Sequence, residues 1–127
     1  MKIFGIGTDI VNINRIKKSL KSKLFINRIF NSIEINKCKS HVNKANCFAK
    51  RFAAKEAFAK ALGTGISNGI NFNEIIVNNI KSGKPDIRLS GQTKKVVNKL
   101  VKKNKFSIFL SMSDDKPFAL AVVIISL

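Results

Sequence analysis

The chain has 127 residues, 45% of them apolar, and its 24 Lys and Arg against 7 Asp and Glu leave a formal charge of +17. This length fits one domain, residues 1–127, and that apolar content is enough for a packed core, which excludes wholesale disorder. The longest unbroken apolar run, Phe118 to Ile125, is eight residues, whereas a membrane-spanning helix needs about 20, and Asp9 comes too early for a signal peptide, so a soluble, cytoplasmic protein with no membrane partner is expected.

Lys2 to Val11 reads as a strand, with Phe4, Ile6, Thr8 and Ile10 on one side and Ile3, Gly5, Gly7, Asp9 and Val11 on the other. Asn12 can cap a helix whose Ile13, Ile16 and Leu20 form a buried stripe, leaving Arg15, Lys17, Lys18 and Lys21 outward. A second helix covers Lys23 to Phe30. The segment from Asn31 to Asn43 is polar and weakly patterned, a connection with a short helical piece around Ile33 to Cys38. Cys38 and Cys47, nine apart, suit neither a disulfide framework nor a zinc site and fit a reducing compartment. Ala45 to Leu62 is the strongest helix, rich in Ala and free of Gly and Pro, ending at Gly63-Thr64-Gly65. Phe72 to Ile80 and Asp86 to Leu89 read as strands, Gln92 to Lys103 as a helix, and Phe106 to Ser113 and Phe118 to Leu127 as strands joined by Asp114-Asp115-Lys116-Pro117. The expected fold class is α+β: a single small domain with a mostly antiparallel sheet packed on one long Ala-rich helix and shorter helices.

Nucleotide-binding loops fail on spacing. Gly5-Ile6-Gly7-Thr8-Asp9-Ile10 lacks the last glycine of the dinucleotide fingerprint, and no Gly-Lys-Ser/Thr loop is present. The long helix is more informative. Taking Phe48 as zero, at about 100° per residue, Glu56 falls near 80° and Lys60 near 120°, while Arg51 and Lys55 fall near 300° and 340°. Charges on several sides, separated by small apolar residues, predict a helix that is mostly covered while some charges enter a shared site. Glu56 and Lys60 read equally as a solvated ion pair one turn apart. Two of only seven acids lying among glycines and alanines, Asp9 on a strand and Glu56 on a helix, make a plausible place for a hard divalent cation such as magnesium, which accepts one or two carboxylates and completes its shell with water and phosphate. Asp9 could alternatively cap the helix that starts near Asn12.

These residues bring a family into view. Gly5-Ile6-Gly7-Thr8-Asp9-Ile10-Val11 with Arg15-Ile16, then Phe48 to Ala61 running into Gly63-Thr64-Gly65-Ile66, resemble bacterial holo-[acyl-carrier-protein] synthase, a phosphopantetheinyl transferase. Phe72-Asn73-Glu74-Ile75, Gly83-Lys84-Pro85, Ser111-Met112-Ser113-Asp114-Asp115 and Ala119 to Ile124 follow in the family's order. The resemblance implies magnesium-dependent transfer of 4′-phosphopantetheine from coenzyme A to a serine of apo acyl carrier protein, releasing adenosine 3′,5′-bisphosphate. It puts the metal carboxylates on Asp9 and Glu56 and a lysine near the pyrophosphate on Lys60. Glu56, directly or through a water, is the preferred proton acceptor, and Lys60 stabilises leaving-group charge.

For coenzyme A the resemblance points to Arg51, Lys60, Gly63, Gly65, Lys84, Pro85 and Ser113. Many members have histidine where Asp114 stands, so Asp114 receives no role, and His41 reads as incidental. The first helix grips an acidic carrier protein in the family, which gives Arg15, Lys17, Lys18 and Lys21 a partner. The family is a homotrimer with sites between subunits, and a strand as apolar on both faces as Phe118 to Ile125 suits either an interface or the centre of a sheet. The alternative reading is a small basic nucleic-acid-binding protein without enzymatic activity, supported only by charge. Lys, Asn and Ile supply 52 of the 127 residues, so part of that charge is compositional bias, and with no Tyr or Trp for stacking no nucleic-acid partner is expected.

Overall fold

The computed structural model describes residues 1–63, 69–102 and 105–127. Gly65 and the last residue expected in the Gln92–Lys103 helix lie outside the described residues. In chain order the elements are β1 (Ile3–Asn12), α1 (Ile13–Ser19), α2 (Lys23–Ile29), α3 (Ser32–Lys39), α4 (Lys44–Leu62), a 3-10 turn (Phe72–Glu74), β2 (Ile75–Asn79), β3 (Pro85–Leu89), α5 (Gly91–Val101), β4 (Ser107–Asp115) and β5 (Phe118–Ser126). The strands form an antiparallel sheet of order β1-β5-β4 and an antiparallel hairpin β2-β3. The expected α+β class holds.

Helix α4 is the spine of the molecule. Ala53, Ala54 and Ala57 are fully buried and Ala61 nearly so, because β1 lies directly along them. The approach is so close that a Cβ on Gly5 or Gly7 would overlap the carbonyl oxygen of Ala61 or Ala57. The glycines of β1 therefore make room for a helix backbone, and the face they share with Asp9 and Val11 is the inner one. On β5, Ala119, Ala121, Val123 and Ile125 are fully buried against the same helix. The opposite face of the sheet is apolar and open: Ile6 is 58% exposed, Ile10 62%, Phe118 45% and Leu120 41%. Strand β5 is thus central in its sheet and still uncovered on one side.

The short helical piece expected around Ile33 to Cys38 is present as α3, one residue longer at each end and closed by a capping box in which Asn31 and Glu34 exchange side-chain-to-backbone hydrogen bonds. Two features differ from the sequence expectation. The strand expected from Phe72 starts only at Ile75, because the carboxylate of Glu74 is drawn away to cap α5: it accepts from the backbone N–H groups of Gln92 and Thr93 and from the Thr93 hydroxyl. Gly91 at φ +57° leaves space for that carboxylate, which a Cβ there would meet head-on. Second, Cys38 and Cys47 form a disulfide, their Cα atoms 5.4 Å apart. A spacing of nine spans the end of α3, a short turn and the start of α4, which brings the two thiols face to face; the expectation of two unpaired thiols, and the compartment argument drawn from it, is corrected.

Candidate active site

Asp9, on the inner face of β1, meets the side of α4 that carries Glu56 and Lys60. The Lys60 Nζ lies 3.3 Å from Asp9 Oδ1, with the lysine side chain 56% exposed and the aspartate 17%. Glu56 is half-buried, and its carboxyl is raised above the ordinary carboxylate range, first by burial and next by the negative charge of Asp9, with Lys60 partly offsetting both. The three residues singled out in the sequence do converge. Two carboxylates close enough that the charge of Asp9 disfavours ionisation of Glu56 fit a hard dication that would relieve their repulsion. Among the described residues no third acidic, His or Cys side chain joins them, as suits magnesium, which fills most of its shell with water and phosphate. Glu56 also stands at the edge of a cleft of about 610 Å³ whose apolar wall includes Phe25, Ile29, Phe52, Ile70 and Phe72.

The other expected coenzyme A residues gather elsewhere. Arg51 leaves α4 about 140° around the axis from Glu56, and it is only 3% exposed. Its guanidinium donates to the Cys47 carbonyl and Sγ and to Asn79 Oδ1, each at 3.3 Å, while its Nε is buried without a partner among the described residues. Burial pushes its pKa down, against the pull of Glu34. Asn79 in turn donates to the Gly83 carbonyl at 2.8 Å, so the hairpin turn that carries Lys84 and Pro85 is tied to Arg51. Arg51, Lys50, Lys37, Gly83 and Met112 line a basic hollow of about 390 Å³, and Ser113 follows Met112 on β4. His41, also at this hollow, accepts the Asn43 N–H at 3.0 Å in its own turn. Asp114 is occupied by Asn46 Nδ2 at 2.8 Å and by Lys50 at 3.3 Å. Gly63 closes α4 in the left-handed conformation, its N–H bonded to the Lys60 carbonyl.

The sequence reading missed the strongest electrostatic feature of the interior. Lys55 and Glu34 are both completely buried and paired at 2.7 Å. The Lys55 ammonium also donates to the carbonyls of Phe72, at 2.8 Å, and Ile75. Glu34 accepts the N–H groups of Asn31 and Val77, both at 2.9 Å. Burial lowers the Lys55 pKa to about 8 despite Glu34. This pair joins α3, α4 and the start of β2, and Phe72, whose carbonyl Lys55 holds, lines the cleft beside Glu56. The one available signal was Glu34 itself, an acid in a chain that has very few.

On α1, Arg15, Lys17 and Lys18, and just past its end Lys21, are all exposed while Ile13 and Ile16 are buried, the amphipathic division the sequence predicts. Leu24, three residues past Lys21 at the start of α2, is an apolar side chain that is 76% exposed.

Residues 5–123 match the family model described as the 4′-phosphopantetheinyl transferase superfamily. The holo-[acyl-carrier-protein] synthase of Pelagibacter ubique is 50% identical over 125 residues, covering 98% of both chains. Among solved structures, that of the Neisseria meningitidis synthase superposes with a TM-score of 0.88 at 37% identity over 98% of this chain and 99% of the other. The Bacillus anthracis synthase, solved in complex with CoA (3′,5′-ADP), gives 0.81 at 37% identity over 99% and 98%. The chain belongs to the 4′-phosphopantetheinyl transferase superfamily and, within it, to the holo-[acyl-carrier-protein] synthases. It is an enzyme, a phosphopantetheinyl transferase.

Proposed function

We propose that residues 1–127 form one transferase domain that moves the 4′-phosphopantetheine group of coenzyme A onto a serine of apo acyl carrier protein, in the cytoplasm, with magnesium and with release of adenosine 3′,5′-bisphosphate. The observation that carries the reading is the convergence of Asp9, Glu56 and Lys60 from two elements far apart in the chain. Asp9 and Glu56 would hold magnesium, which when bound neutralises the diphosphate oxygens. The serine oxygen attacks the β-phosphorus, the bond from that phosphorus to the bridging oxygen breaks, and the serine proton passes to Glu56. A carboxyl raised above its usual range by burial and by Asp9 is a better proton acceptor than a solvated one. The exposed ammonium of Lys60 can follow the charge that develops on the leaving phosphate. The cleft beside Glu56, apolar along one wall, suits the pantetheine arm.

The exposed cations of α1 and the exposed Leu24 that follows them in the chain suit an acidic carrier protein that offers an apolar contact as well as charge. The basic hollow at Arg51 suits the phosphates of the nucleotide end, and the about 140° between Arg51 and Glu56 on α4 argues that one coenzyme A meets these two groups on different subunits. The open apolar face made by Ile6, Ile10, Phe118 and Leu120 supports a homotrimer in which such sharing occurs. The deciding experiment is the mass of apo acyl carrier protein after incubation with this protein and coenzyme A, with and without magnesium. Gain of the phosphopantetheine mass only with metal is the expected result; an unchanged mass in both overturns the reading.

A further inference from the structure

We propose that Lys60 is the resident counter-ion of Asp9 in the free enzyme and releases it only when a diphosphate arrives, so that the divalent cation and coenzyme A bind as a coupled pair. This rests on the reading of Asp9 and Glu56 as cation ligands. The Lys60 Nζ already sits 3.3 Å from Asp9 Oδ1, within the space a cation on that carboxylate would command. A dication entering alone has to displace the ammonium or sit against it. Two carboxylates and one ammonium carry a net −1. A dication alone turns this to +1, while a dication together with a doubly charged diphosphate restores −1. Among the described residues the lysine's polar partner is Asp9: its side chain is 56% exposed, it lies in the last turn of α4, and its flexible stem can carry the charge from the carboxylate to a phosphate oxygen. Lys60 is therefore a positioning residue in the free enzyme as well as a phosphate partner in the complex.

The test is the affinity for Mn2+, read by electron paramagnetic resonance, with and without saturating coenzyme A, in wild type, Lys60→Met and Lys60→Arg, each checked for an unchanged thermal melt. Coenzyme A should tighten Mn2+ on the order of 100-fold in wild type and Lys60→Arg, and about 10-fold or less in Lys60→Met, because the free form of that variant already binds the cation well. A lysine that only repelled the cation would, when removed, tighten both states alike and leave the ratio unchanged. An equal ratio in wild type and Lys60→Met, or no tightening of Mn2+ on the free Lys60→Met enzyme, overturns the proposal. Absence of Mn2+ binding in every state overturns it too, and in that case removes the cation site itself; coupling that depends on Lys60 supports it whether or not the carrier protein is modified.

Discussion

Lys55 and Glu56 are neighbours in the chain, and their surroundings could hardly differ more. Lys55 points into the interior, where Glu34 and two backbone carbonyls surround its ammonium and no water reaches it. Glu56 points to an open cleft, faces a second acid, and is left less willing to ionise. One residue of helix, about 100° of rotation, separates a charge locked in the interior from a charge that faces the open cleft. Like-charge crowding is tolerable at Glu56 because the neighbouring buried pair and the alanine contacts with β1 supply the rigidity.

Four measurements would break or sharpen this contrast. Glu56→Gln removes the open charge and should lower carrier-protein modification by about 10²–10⁴-fold. The same change should not destabilise the fold at neutral pH. A carboxyl whose folded pKa is raised costs stability as pH climbs through that pKa, so the neutral amide should melt at an equal or higher temperature than wild type, the cost of ionisation having gone. A clear drop in melting temperature would put Glu56 on the structural side of the contrast.

Lys55→Met strikes the buried half. It strands the Glu34 carboxylate and the carbonyls of Phe72 and Ile75 and should cost about 3–5 kcal/mol by urea denaturation. Lys55→Met with Glu34→Leu should lose less than Lys55→Met alone, since no lone charge remains inside, although the Asn31 and Val77 N–H groups lose their acceptor. A double variant as unstable as the sum of the singles would deny that the pair acts as a unit.

Glu74 provides an intermediate case, a carboxylate held on several donors yet near the surface. Desolvation raises its pKa, but hydrogen bonds from Asn71, from the Thr93 hydroxyl and from the N–H groups of Thr93 and Gln92 outweigh it and bring it below the usual value. Its contribution is accordingly present above the unfolded carboxylate pKa and is lost as pH falls through the lower folded one. Glu74→Ala should cost about 1–2 kcal/mol near neutrality, like the loss of a helix cap, and the gap from wild type should close in acid. A gap independent of pH would show that the cap does not depend on charge. The smallest effect is expected at the rim: Arg15→Glu should weaken carrier-protein binding about tenfold by calorimetry and leave coenzyme A affinity unchanged. Equal carrier affinity in the variant would remove α1 from the contact.

The parts of the molecule that could be read in the sequence are those whose cause is local or periodic. The alanine run of α4, its glycine stop and the amphipathic stripe of α1 follow from spacing, and the scatter of charge around α4 announced a covered helix. Asp9, Glu56 and Lys60 stood out because acids are scarce and because the blocks around them resemble a family. The sequence did not reveal which of the α4 charges go inward: Arg51 and Lys55 do, and Lys60 stays out. That choice is made by groups 21 to 28 residues away, Glu34 and Asn79, which no local pattern encodes. Helix α3 was legible only as a short helical piece, since its one buried acid is matched by a lysine in another helix and not by an apolar stripe. The Glu74 cap and the Cys38–Cys47 bond likewise depend on which elements end up side by side.

The two glycines of β1 carry a consequence for how this gene can change. With the strand seated on the carbonyls of Ala57 and Ala61, a slip of one residue would push Ile6 or Thr8 into the helix and rotate Asp9 to the far side of the sheet. A one-residue insertion or deletion between Gly5 and Asp9 would therefore turn the carboxylate away from α4, where many point substitutions on the outer face would not, and the spacing along a ten-residue ribbon sets the aim of the carboxylate.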